Sequence, residues 1–138
     1  MPKIALIALV LAVLAQNSKD RLENLSEYES GKNCIKLALE YSKELVKINR
    51  QKFETILTCL KSGNPNKRWV SLSVLELVDF GVLMRLDENL AVRFIKAVAS
   101  ASRKDPSGGL RKKAGKLARM WLENIEIKKF TPNIQFPS

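Results

Sequence analysis

Histidine is absent from this chain, and cysteine nearly so, with two residues among 138. Without an imidazole there is no Ser/His or Cys/His nucleophile pair, no His-containing zinc site and no side chain that titrates near neutrality at its ordinary pKa. Cys34 and Cys59 stand far apart in sequence, so they form neither a CxxC redox motif nor a metal cluster. Glycine and proline are sparse too, at six and five residues, and no stretch is rich enough in them to link two domains. Aromatic residues make up 7%, without the aromatic–basic interleaving that stacks single-stranded bases. These absences point away from an enzyme and from any cofactor or metal, towards a small binding module.

What the chain does carry is positive charge. Twenty-four Lys and Arg against fourteen Asp and Glu give a formal +10, in a chain that is 46% hydrophobic and long enough for one globular domain. Between Arg103 and Lys129 stand nine basic and three acidic residues, a net +6 in the last part of the chain. Such a concentration attracts anionic partners by long-range electrostatics, although it also suits a solvated helix face.

Apolar residues recur at helical spacing throughout. Cys34, Ala38, Tyr41, Leu45 and Ile48 form one stripe, and Phe53, Ile56 and Leu60 continue the pattern in the next segment. Asn64-Pro65 reads as an N-cap with proline at the first helical position. From Trp69 to Met84 apolar residues fall on all sides, which predicts one central, covered helix. Asp87-Glu88 opens another helix that buries Ala91, Phe94 or Ile95, Val98 and Ala101. Asp105 to Gly109 reads as a loop, and the last helix buries Leu110, Ala114, Leu117, Trp121 and Ile125. No segment alternates with period two. The expectation is an all-α domain, a right-handed superhelix of about seven to eight short helices, spanning residues 1–130 with 131–138 as a C-terminal tail.

Two segments have competing readings. Ile4 to Ala15 is almost wholly apolar behind Lys3, which fits a short signal-peptide core or a buried first helix; we take the helix. Asp79, set among Leu77, Val78 and Phe80, is either a capping or paired carboxylate or, less in keeping with its setting, a catalytic one. Gly108-Gly109 before Arg111-Lys112 lacks the spacing of a phosphate-binding loop and reads as loop punctuation. Cys34, Cys59, Trp69 and Trp121 all fall at core positions.

Residues 56–76, ILTCLKSGNPNKRWVSLSVLE, resemble the middle of a VHS domain, with Leu60-Lys61-Ser62-Gly63-Asn64-Pro65 at its Ser-x-Asn-Pro turn and Ser71 to Glu76 at its "ALTLLE" helix. Leu110 to Trp121, LRKKAGKLARMW, is similar to the final VHS helix, and Arg93-Phe94-Ile95 to its Phe-Leu-Asn helix. The resemblance covers about residues 25–127. It implies a non-catalytic adaptor of the ENTH/VHS superfamily in endosomal or Golgi vesicle trafficking, cytoplasmic and peripheral on those membranes, that binds acidic sorting signals or ubiquitinated cargo. The ubiquitin-contacting tryptophan of that family has no aromatic counterpart near Gly31 to Ile35, and its sixth-helix asparagine is Ile95. Lys104 and Lys113 match the basic residues that hold acidic-cluster dileucine signals. Lys116 to Trp121 is also similar to the last helix of the domain that binds the phosphorylated C-terminal tail of RNA polymerase II. Both families hold extended peptides between helices. The expected groove lies between the Asp87–Ser102 and Leu110–Ile125 helices, with Ile95, Val98 and Ala118 as its floor and Lys104, Lys112, Lys113 and Lys116 as its rim; Arg103, Arg111 and Arg119 form a second basic patch. The partners implied are an acidic or phosphorylated peptide, ubiquitin or an anionic membrane surface such as one bearing phosphoinositides, ahead of nucleic acid.

Overall fold

A computed structural model describes residues 21–45 and 50–135, with side chains as far as Ile125. The described residues are all-helical, in six helices: α1 (Gly31–Glu44), α2 (Arg50–Leu60), α3 (Pro65–Leu77), α4 (Phe80–Leu86), α5 (Glu88–Lys104) and α6 (Gly108–Gln135). The expected helix over residues 4–15 lies outside the described residues, as does Ile48 of the first stripe. The last helix continues past residue 130, where the domain was expected to end.

Polar caps set the helix starts. The Ser30 hydroxyl accepts from the Asn33 amide, the Asn64 side chain from the amides of Asn66 and Lys67, and the Asp87 carboxylate from those of Asn89 and Leu90. The expected single helix from Trp69 to Met84 is broken. Val78 adopts extended backbone (φ −96°, ψ 135°), and the Asp79 carboxylate accepts from the Gly81 amide to begin α4. A short carboxylate competes locally for backbone amides, so it divides an apolar run that hydrophobic pattern alone reads as continuous. Likewise α6 begins two residues earlier than expected, at Gly108, because the Ser107 hydroxyl accepts from the Leu110 amide.

α3 lies at the centre and packs on α1, α2 and α6, while α5 and α6 share the most extensive helix pair. Residues Val70 to Leu75 are consecutively buried, as befits a helix covered on all sides. Two aromatic contacts tie the layers together. Phe53 of α2 meets Phe94 of α5 edge to face at 6.3 Å, and Phe80 of α4 stacks on Trp121 of α6 at 4.8 Å. Gly115 sits where α6 passes α5, and a Cβ there would lie 3.8 Å from Ser102 Cβ, an ordinary contact. Gly115→Ala therefore removes a helix-interior glycine without a clash, and is expected to raise unfolding free energy by about 1 kcal/mol in urea titration.

Candidate peptide and anion clefts

The expected groove between α5 and α6 is closed. Val98 and Ala114 have no exposure and Leu117 only 1%, because the apolar stripes of the two helices face and fill each other. Ile95 and Ala118 are half-buried and packed against this core. Val98 is a core residue and offers no surface to a partner.

The basic residues separate into four groups. Lys113 is turned inwards: its Nζ lies 3.2 Å from Glu76 Oε1 and 4.8 Å from the centroid of the Trp69 ring, which makes it a strut between α6 and α3. Lys104 lies on a different face of α5 from the expected groove, in a cleft of about 430 Å³ between the α2–α3 turn and α5. Arg111, Lys112 and Arg119 line a second cavity of about 570 Å³ at the junction of α5 and α6. Arg103 and Lys116 are exposed and line neither.

The first cleft has an apolar floor and a basic rim. Leu60, Ala97, Ala101 and Pro106 supply apolar surface; Lys61 and Lys104 are exposed, with no carboxylate partner among the described residues. Beneath it lies an ion pair that sequence reasoning missed. Arg68 Nε is 2.9 Å from Asp105 Oδ2 and Nη2 is 3.3 Å from Oδ1, a two-pronged contact whose side chains are only 12% and 2% exposed. Arg68 Nη1 also donates to the Ser62 carbonyl, Asp105 Oδ1 accepts from the Ser107 amide, and Arg111 Nη1 donates to the Asp105 carbonyl at 2.6 Å. One buried carboxylate thus ties together the start of α3, the α2–α3 turn and the α5–α6 turn. Thirty-seven residues separate the partners, and no local pattern marks them; the one hint is an acid placed immediately before a proline at a helix end.

The remaining sequence candidates are structural. Asp79 caps α4. Both thiols are buried; burial pushes Cys59 up to about 11, a shift that Lys67 opposes and Glu23 assists, and burial with Glu29 nearby raises Cys34. Such thiols are poor nucleophiles at neutral pH. Among the described residues, no three acids or cysteines gather as metal ligands, and no helix is long and apolar enough to cross a membrane. No protein-family model, curated protein or solved structure matches the chain.

Proposed function

We propose that this chain is a non-catalytic recognition module of the VHS type, its helices coiled into a right-handed superhelix, that captures an extended acidic peptide such as a sorting signal on vesicle cargo. The reading rests on one observation: the cleft between the α2–α3 turn and α5 joins an apolar floor to two exposed rim lysines that have no ion-pair partner among the described residues, the Asp105 carboxylate in its lining being taken by Arg68. Lys61 and Lys104 attract carboxylates of the peptide, while Leu60, Ala97 and Ala101 receive its aliphatic side chains. Exposed ion pairs contribute only about 0–1 kcal/mol each, so the apolar contacts supply most of the affinity and the lysines supply selection and salt sensitivity. The ion pair below holds the two walls of the cleft at a constant separation.

Calorimetric titration with an acidic dileucine peptide tests the reading, run beside a Ser-phosphorylated heptad peptide of the polymerase tail. The dileucine peptide is expected to bind, with affinity that falls with added salt. Lys104→Glu replaces an attraction with a repulsion and is expected to weaken binding by roughly tenfold, about 1.4 kcal/mol. No binding, or binding indifferent to Lys104→Glu, refutes the proposal. Binding of the heptad peptide alone would transfer the function to polymerase-tail recognition.

A further inference from the structure

The second cavity has a different chemistry from the peptide cleft. Its charged wall consists of Arg111, Lys112 and Arg119, with Ser102 beside them and no acidic side chain in the lining. Both guanidinium groups are held in place by backbone. Arg111 Nη1 donates to the Asp105 carbonyl at 2.6 Å, and Arg119 Nε donates to the Gly115 carbonyl at 3.3 Å. A guanidinium has five N–H donors, so each arginine is anchored through one and keeps the others without an acceptor among the described residues. The rest of the lining is glycine: Gly108, Gly109 and Gly115. A Cβ on Gly108 would lie 3.4 Å from Arg111 Nη2, so the missing side chain leaves room for that guanidinium at the cavity wall.

We propose that this cavity is a binding site for a phosphate monoester. Three cations lining one cavity without a counter-ion repel one another, and a dianion between them relieves that repulsion. A phosphate monoester carries about −1.5 to −2 charge at neutral pH and three terminal oxygens, enough to accept from two arginines and a lysine together. A carboxylate has one charge and two oxygens and satisfies a single guanidinium fork. The Ser102 hydroxyl, which donates to the Ala99 carbonyl at 2.6 Å, lines the wall as a small neutral group that leaves the charge to the three cations. The site is separate from the peptide cleft, with which it shares no lining residue, and stands whether or not that cleft binds peptide.

The full chain should be titrated with inorganic phosphate by calorimetry, at constant ionic strength set with chloride. Saturable binding is expected, weakened by at least about tenfold in Arg119→Gln and in Lys112→Gln, and unchanged in Lys61→Gln and Lys104→Gln, which alter only the other cleft. Among the described residues neither Arg119 nor Lys112 makes a hydrogen bond or ion pair to another helix, Arg119 bonding only to Gly115 of its own, and thermal unfolding of both variants checks that they remain folded. A second arm compares phosphatidylcholine vesicles with and without phosphatidic acid, a lipid that ends in a phosphate monoester. Preference for the acid-containing vesicles, lost in the same two variants, assigns a lipid headgroup as the source; phosphate binding without that preference assigns the free ion. The proposal is overturned if neither probe binds, or if binding survives Arg119→Gln and Lys112→Gln combined.

Discussion

Asp105→Ala is expected to lower the free energy of unfolding by about 3–5 kcal/mol, because it leaves the Arg68 guanidinium buried without its counter-charge. The cost is large because the site is dry: the Asp105 side chain is 2% exposed and that of Arg68 12%. Water cannot replace the lost acceptor without opening the junction of the two turns. The same substitution removes the acceptor of the Ser107 amide, which loosens the entry to α6. Urea unfolding at neutral pH measures the loss directly, and a change below about 1 kcal/mol would show that the pair is solvated and contributes little. Replacing both partners, Arg68→Met with Asp105→Leu, is expected to recover most of the stability, since no unpaired charge is then buried. If the double variant were as unstable as the single one, the loss would come from the turn geometry and not from the stranded charge. On the proposed function, Asp105→Ala should also weaken binding of the acidic dileucine peptide, because Lys61 and Lys104 stand on the two walls that this pair ties together.

Trp121→Ala is the second large effect, with an expected loss of about 3–5 kcal/mol on the same scale. Trp121 is 2% exposed and stacks on Phe80 at an interplanar angle of 24°, so it fastens α6 to α4. Truncation empties a site that the surrounding helices cannot fill without moving. Trp121→Phe separates the ring from its polar group. The indole Nε1 is buried with no hydrogen-bond partner among the described residues, a state that is itself unfavourable. Phenylalanine removes that donor and keeps an aromatic face against Phe80, so it should cost well under half as much as alanine. Equal losses in the two variants would mean that the indole N–H is satisfied in solution and contributes to the packing.

Much of the architecture was legible in the chain because it is governed by local rules. The spacing of Leu110, Ala114, Leu117 and Trp121 reads directly as the buried face of α6, and Asn64-Pro65 and Asp87-Glu88 mark the starts of α3 and α5. The break at Val78-Asp79 was harder to see. Hydrophobic periodicity measures which face is buried and is blind to a carboxylate that captures a backbone amide two residues on. The candidate site was legible only as a composition. The cluster of basic residues after Arg103 is plain in the sequence, but the groove placed among them was not, since an apolar residue that floors a groove and one that fills a helix interface have the same pattern. Val98 proved to be the second kind and Lys113 a strut.

The sequence by itself determined the all-helical class of the described residues, the principal core positions, and an excess of positive charge concentrated towards the end. Each follows from interactions within a few residues or from simple counting. Only the tertiary structure decided which lysines line a cleft and which are tied to neighbours. It turned Lys113 onto Glu76 and Trp69, placed the lysine-rimmed cleft on a different face of α5, and brought Arg68 across thirty-seven residues to Asp105 beneath it. Those outcomes depend on how helices distant in sequence come together, and the charge and spacing of a single helix hold no information about which neighbour will meet it.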